Sequence, residues 1–147
     1  MDEIYFMREA LKEARLALEA GEVPVGCVAV KNGEIVARAH NEREKTGDPT
    51  AHAEILALRR ASRGDWRRED VTLYVTLEPC PMCAGAISQA RVKEVVYGAR
   101  DPEKGCAGSV YRIPEDPAFG WFCRCRGGVL EEECAALLEE FFRGRRR

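Results

Sequence analysis

Residues 71–98 read VTLYVTLEPCPMCAGAISQARVKEVVYG. Residues 71–77 are apolar and β-branched, which predicts a buried strand. Residues 81–90 predict a helix, because Pro81 is favoured in a first helical turn. Residues 93–98 predict a second strand. A strand, a helix and a strand in succession indicate parallel pairing, since parallel strands need a crossover connection.

The preceding residues predict a helix and a hairpin. Apolar residues recur at steps of three and four over residues 3–20, which predicts an amphipathic helix ended by Gly21. Residues 26–30 and 34–39 predict two strands. Asn32-Gly33 between them is a strong signal for a two-residue hairpin turn.

The other predicted elements complete an α/β domain. In chain order they are a polar loop over 40–50, a helix over 51–63 capped by Thr50, an irregular segment over 101–122, a short strand ending at Val129–Leu130, and a helix over 131–143. Together the elements predict a mixed five-stranded sheet between two helical layers, a three-layer α/β/α sandwich.

Length and composition narrow the class of protein. The chain has 147 residues, 46% of them hydrophobic and 33% charged, which predicts one globular domain over residues 1–147 and excludes disorder, collagen and coiled coil as the dominant state. Apolar runs stay well below the ~20 residues of a membrane span. The acidic start, Met1-Asp2-Glu3, is unlike a secretory signal, so we expect a cytoplasmic protein.

The chain contains seven cysteines, an odd number. In a cytoplasmic protein they favour metal ligation or buried thiols over a disulfide framework. Cys80 and Cys83 form a C-x-x-C at the start of a predicted helix, where free N–H groups favour thiolates. This pair alone fits a metal site, a redox pair or two buried thiols. Cys123 and Cys125 form an isolated C-x-C without a predicted role.

His52 and Glu54 favour the metal site over the redox pair and the buried thiols. One histidine with two cysteines gives three zinc ligands and leaves a fourth position open for water, which is typical of a catalytic zinc site. A carboxylate beside such a water could carry its proton, and Glu54 is two residues from His52. Stabilisation of the helix dipole is the alternative role for Glu54.

The net charge is −2, which argues mildly against non-specific nucleic-acid binding. The last residues are nevertheless basic: Arg143, Arg145, Arg146 and Arg147. This tail is either a solvated end or an arm that contacts phosphates. Of Phe141 and Phe142, we expect one to pack beneath the sheet.

The strings His52-Ala53-Glu54 and Pro79-Cys80-Pro81-Met82-Cys83 together match the known H-x-E and P-C-x-x-C signature of zinc nucleobase deaminases. Further strings extend the match over nearly the whole chain: Asp48–Glu54, Thr76–Ala86, Gly98–Pro102 and Phe141–Arg143. On these residues the chain resembles the bacterial tRNA-specific adenosine deaminases of the cytidine and deoxycytidylate deaminase superfamily.

The resemblance implies a cytidine-deaminase-like fold and conversion of adenosine to inosine at the wobble position of tRNA anticodons. It implies a homodimer in which both subunits contact each anticodon stem-loop. It further implies one Zn²⁺ per subunit, held by His52, Cys80 and Cys83, with Glu54 as the catalytic proton shuttle. The substrate-binding residues that it implies are Asn41, Val25, Ala51, Asp101, Phe142 and Arg143. A turn role is the alternative for Asn41.

Two segments depart from the family pattern. Residues 120–125 read GWFCRC where the family often has Asn-His, and Glu103 stands where a lysine is common. Both fall where RNA would be contacted, so Trp121 and Phe122 either offer stacking faces or belong to the core. Two other functions remain open: a deaminase of a free nucleobase, of guanine or cytosine type, and a non-catalytic tRNA-binding subunit.

Overall fold

The computed structural model describes residues 2–61 and 64–145. Within them the sheet has five strands, which are β1 Gly26–Lys31, β2 Glu34–His40, β3 Val71–Leu77, β4 Glu94–Ala99 and β5 Arg124–Arg126. Their order in the sheet is β2-β1-β3-β4-β5. The helices are α1 Glu3–Glu19, α2 Arg43–Thr46, α3 Ala53–Arg60, α4 Pro81–Gln89 and α5 Glu131–Arg143.

The pairing of the strands confirms a mixed sheet. β1 is antiparallel to both β2 and β3, while β3, β4 and β5 run parallel. Asn32 and Gly33 have φ angles of 51° and 77°, the left-handed backbone that a two-residue hairpin turn requires. The predicted hairpin is therefore confirmed.

Helices cover both faces of the sheet, which confirms the three-layer α/β/α prediction. α1 and α5 pack on one face, where Met7 and Leu11 share a buried cluster with Val28. α3 packs on the other face, where Ala57 shares a second buried cluster with Cys27. None of the helices in the described chain is long and apolar enough to cross a membrane.

The helix predicted over 51–63 is shorter than expected. It runs over Ala53–Arg60, and residues 62 and 63 lie outside the described chain. His52, not Thr50, is its N-cap residue, so the predicted Thr50 cap is wrong. The Thr50 hydroxyl instead donates to Asp48 Oδ1 at 2.8 Å, because a local turn competes for it.

The last strand is also misplaced in the sequence prediction. It is β5, whose residues Arg124 and Cys125 pair with Glu94 and Val95 of β4. Leu130 has φ 53° and precedes α5, so Val129–Leu130 does not end a strand. The predicted loop 40–50 contains the four-residue helix α2, and the irregular segment 101–122 contains 3₁₀ turns at 113–115 and 117–119.

Candidate active site

Three potential metal ligands meet where two helices begin. His52 immediately precedes α3, Cys80 immediately precedes α4, and Cys83 lies in the first turn of α4. The Nδ1 atom of His52 is 3.6 Å from Cys80 Sγ and 3.5 Å from Cys83 Sγ. The three donor atoms lie within 4.8 Å of one another. The structure thus brings together the three residues that the sequence predicted.

The spacing of these donors fits zinc. With Zn–S bonds of about 2.3 Å and Zn–N bonds of about 2.05 Å, a tetrahedral site separates nitrogen from sulfur by about 3.6 Å. The two separations of His52 Nδ1 from sulfur, 3.6 and 3.5 Å, agree with this value. One imidazole and two thiols are also the donor types that zinc prefers. These donors therefore fit Zn²⁺ as the cofactor.

Hydrogen bonding inside the cluster already favours a thiolate. The hydrogen bond with Cys83 is the largest influence that lowers the pKa of Cys80, to about 4, and burial opposes it. The same hydrogen bond, followed by burial, raises the pKa of Cys83. The thiolate is the metal-binding form of cysteine, so the protein prepares Cys80 for a cation.

Glu54 is the second residue of α3 and only 3% exposed. Burial raises the pKa of its carboxyl to about 7. The carboxylate lies near the thiols, since Glu54 is among the groups that raise the pKa of Cys83. A dipole-stabilising glutamate would serve equally well in water. Its burial against the cluster therefore favours a chemical role over the dipole role.

Asn41 is 6% exposed and holds the beginning of α3. Its Oδ1 accepts the backbone N–H of Ala53 at 2.8 Å. Ala53 lies between His52 and Glu54, so this bond connects the loop after β2 with both residues. The turn role considered for Asn41 therefore becomes a long-range capping role.

Replacing Asn41 by alanine should lower the free energy of unfolding by about 1–3 kcal/mol, because it leaves the buried N–H of Ala53 without an acceptor. Urea unfolding of the zinc-loaded protein measures this. Asn41→Asp is the matched control, because it keeps an acceptor oxygen and should retain most of the stability. Equal urea midpoints for Asn41→Ala and the parent would show that the bond contributes nothing.

Val25 and Ala51 are buried, and their backbone carbonyls accept hydrogen bonds from the loop after β2. The carbonyl of Val25 accepts the N–H of Asn41 at 3.1 Å, and that of Ala51 accepts the N–H of Glu42 at 2.9 Å. Asp101 organises a turn, since its Oδ1 accepts the N–H groups of Glu103 and Lys104. Contact of these three residues with a nucleoside remains a prediction.

Of the two C-terminal phenylalanines, one is buried and the other is exposed. Phe141 is 8% exposed, whereas Phe142 is 54% exposed. The Arg145 guanidinium lies 4.1 Å from the Phe141 ring centroid and donates to Gly21 O at 3.3 Å. A cavity of about 350 Å³ lies between Asn41 and these groups. Arg146 and Arg147 of the predicted tail lie outside the described residues.

Residues 120–125 divide between core and surface. The Trp121 indole donates to Val92 O at 2.8 Å and is half-buried, while Phe122 is exposed. Cys123 belongs to the buried cluster beneath α3, with Cys125 packed against it. Two further cysteines, Cys27 and Cys106, are buried thiols, one of the two roles that the sequence favoured for the cysteines.

The sequence reasoning missed three buried carboxylates, Glu9, Glu22 and Glu78. Glu22 accepts the N–H groups of Glu44 and Lys45 at the start of α2. Glu78 accepts donors from the segment after β4. The available signal for Glu78 was its position directly after a buried strand and before Pro79. A charged side chain there is unusual unless it is paired.

Comparison with known proteins agrees with this geometry. Residues 1–99 match the family model described as the cytidine and deoxycytidylate deaminase zinc-binding region. The tRNA-specific adenosine deaminase of Bacillus subtilis is 54% identical over 144 residues, covering 97% of this chain and 89% of that protein. The chain therefore belongs to the cytidine and deoxycytidylate deaminase family and, within it, to the tRNA-specific adenosine deaminases.

Comparison with solved structures also favours the tRNA deaminases. A structure from a study of A-to-I editing by tRNA:A34 deaminases superposes with a TM-score of 0.87 at 44% identity, over 91% of this chain and 99% of that one. The guanine deaminase of Bacillus subtilis superposes with a TM-score of 0.66 at 41% identity, over 74% of this chain and 71% of that one. The similarity to the tRNA deaminase thus extends over more of the chain.

Proposed function

We propose that this enzyme deaminates adenosine to inosine at the wobble position of tRNA anticodons. The observation that carries the proposal is a buried carboxylate, Glu54, beside a His52, Cys80 and Cys83 cluster of zinc geometry. It occurs in a chain 54% identical over 97% of its length to a tRNA-specific adenosine deaminase. A guanine deaminase shares the fold over less of the chain.

In this proposal His52, Cys80 and Cys83 hold the metal, and Glu54 moves protons. A zinc ion held by these residues would supply a water of lowered pKa. Glu54 would accept a proton from the attacking water and deliver it to the purine, so that the amine on C6 leaves as ammonia. Water and adenosine give inosine and ammonia, which balances the reaction.

The proposed substrate is the anticodon stem-loop. Asn41, Val25, Ala51 and Asp101 would border the extruded nucleoside, while Phe142 and Arg143 would contact the flanking RNA. The exposure of Phe142 supports this role, because RNA loops are recognised through stacking on aromatic side chains. Since its proposed substrate is tRNA, we place the enzyme in the cytoplasm.

A product assay tests the proposal. Zinc-loaded protein is incubated with an anticodon stem-loop carrying adenosine at the wobble position, and separately with guanine, adenosine, cytosine and cytidine. We expect inosine in the stem-loop alone and no product with Glu54→Ala. Turnover of a free base would establish a metabolic deaminase instead. Binding of the stem-loop without turnover of any substrate would indicate a non-catalytic subunit.

RNA binding should depend on salt through Arg143. Replacing Arg143 by alanine should reduce the slope of log K against log salt concentration by about 0.7, the value for one phosphate contact on single-stranded RNA. The control is Arg8→Ala, because Arg8 pairs with Glu133 near the other end of α5. An unchanged slope for Arg143→Ala would leave the basic tail a solvated end. Filter binding across a salt series measures both slopes.

We also propose a homodimer that uses the outer face of α4. Met82, Gly85, Ala86 and Gln89 recur there at helical spacing. A Cβ atom added at Gly85 would meet nothing within 4 Å. Glycine in a helix costs about 1 kcal/mol relative to alanine, so its presence at an open position fits the close approach of another chain. Light scattering of the zinc-loaded protein measures the mass.

A further inference from the structure

In the chain, Glu78 lies between strand β3 and the predicted zinc ligand Cys80, but it belongs to neither the strand nor the ligand set. It follows the last residue of β3 and precedes Cys80 by two positions, and its side chain is 2% exposed. Its backbone N–H donates to Ala99 O at 2.9 Å, which fixes it beside the end of β4. A buried carboxylate needs compensating hydrogen bonds, because its desolvation is costly.

Those hydrogen bonds all come from one segment, residues 101–109. Glu78 Oε1 accepts the N–H of Asp101 at 3.0 Å and the hydroxyl of Ser109 at 2.5 Å. Its Oε2 accepts the N–H groups of Ala107 at 3.0 Å and of Ser109 at 2.9 Å. Three of the four donors are backbone groups, so the carboxylate fixes the path of the chain.

The same segment is fitted closely around this carboxylate. A Cβ atom at Gly105 would collide with the Glu78 carboxyl group, so only glycine permits the observed approach. A second tie runs from the N–H of Cys106 to the carbonyl of Pro79 at 2.8 Å. Both attachments are made to the residues directly before Cys80. The position of the segment is therefore set relative to the metal ligands.

We infer that Glu78 is a positioning residue for deamination, which holds residues 101–109 in register with the zinc cluster so that they form a rigid wall of the nucleoside site. This inference rests on the proposed function and extends it. Glu78 acts through the segment and does not touch the reacting atoms. Asp101 begins that segment: its backbone N–H donates to Glu78, while its side-chain Oδ1 accepts the N–H groups of Glu103 and Lys104.

Glu78→Gln tests the inference, because an amide supplies one acceptor oxygen where two are used. Whichever way the amide is oriented, its NH₂ group faces at least one backbone N–H of the segment. We expect full zinc content and about a 100-fold loss of kcat/KM on the stem-loop, since small displacements of a positioning element have effects of that size. The amides of Asp101, or of Ala107 and Ser109, should exchange hydrogen at least about tenfold faster.

Glu9→Gln is the matched control. Glu9 is a buried glutamate on α1 whose carboxylate pairs with the side chains of Lys12 and Arg38 instead of backbone groups. The Glu9→Gln substitution should leave zinc content, kcat/KM and amide hydrogen exchange over residues 101–109 unchanged. Should Glu78→Gln fail to fold, Ser109→Ala removes only the hydroxyl donor and should give a smaller change of the same kind.

Three results would overturn the inference. They are unchanged exchange over residues 101–109 in the folded variant, unchanged kcat/KM on the stem-loop, and loss of zinc, which would assign Glu78 to the metal centre. The exchange measurement needs no substrate. Inactivity of the parent enzyme on the stem-loop would therefore refute the proposed function while leaving the structural part of this inference open to its own test.

Discussion

Replacing Glu54 by alanine is expected to abolish deamination while the protein keeps its fold and its zinc. Proton transfer by a positioned carboxylate contributes up to about 10⁴-fold to a rate, so kcat on the anticodon stem-loop should fall by about that factor. Glu54 is 3% exposed, and the beginning of α3 is held by Asn41, which accepts the N–H of Ala53, so loss of the Glu54 carboxylate removes a proton carrier without opening α3. Single-turnover assays with metal analysis by mass spectrometry measure both quantities.

Glu54→Gln refines this test, because it preserves the shape of the side chain while removing its ability to accept a proton. Both variants should contain the same zinc as the parent. Turnover near the parent rate in either variant would refute the proton-shuttle role. Loss of zinc in both would instead make Glu54 part of the metal site. Far-ultraviolet circular dichroism confirms that each variant is folded.

The chemistry of the site was predictable because its two motifs are local patterns. C-x-x-C at the start of α4 places one sulfur just before the helix and one in its first turn, and His52 stands two residues from a carboxylate. The known signature, not the spacing, indicated that the two motifs form one site. What could not be predicted is what holds these groups in place. Asn41 caps α3 from twelve positions before Ala53, and no local pattern indicates a bond over that separation.

The missed buried carboxylates illustrate the same limit. In the sequence Glu22 looks like an ordinary surface charge, and the position of Glu78 after β3 does not reveal its partners, because burial depends on segments that are distant in the chain. The hydroxyl of Ser109, 31 residues from Glu78, defines the environment of that side chain. The strand β5 was misplaced for a related reason. Its three residues include two arginines, so pairing with β4 overrides a weak local preference.

Replacing Cys83 by serine is expected to remove zinc and, with it, both activity and much of the stability. Cys83 is fully buried, and its sulfur lies 3.5 Å from His52 Nδ1. An alcohol is a much poorer zinc ligand than a thiolate. A ligand present at about 1,000 times its Kd stabilises a protein by about 4 kcal/mol. At about 3 °C per kcal/mol, loss of zinc should lower Tm by about 12 °C.

Cys134→Ser separates loss of zinc from the cost of burying a hydroxyl. Cys134 is 1% exposed and lies in the cluster beneath α1 and α5, on the other face of the sheet from Cys83. Its replacement should lower the free energy of unfolding by about 1–3 kcal/mol but leave the zinc content unchanged. Full zinc occupancy in Cys83→Ser would refute its assignment as a ligand. A chelator should lower the Tm of the parent and of Cys134→Ser but leave that of Cys83→Ser unchanged, because only the first two have zinc to lose.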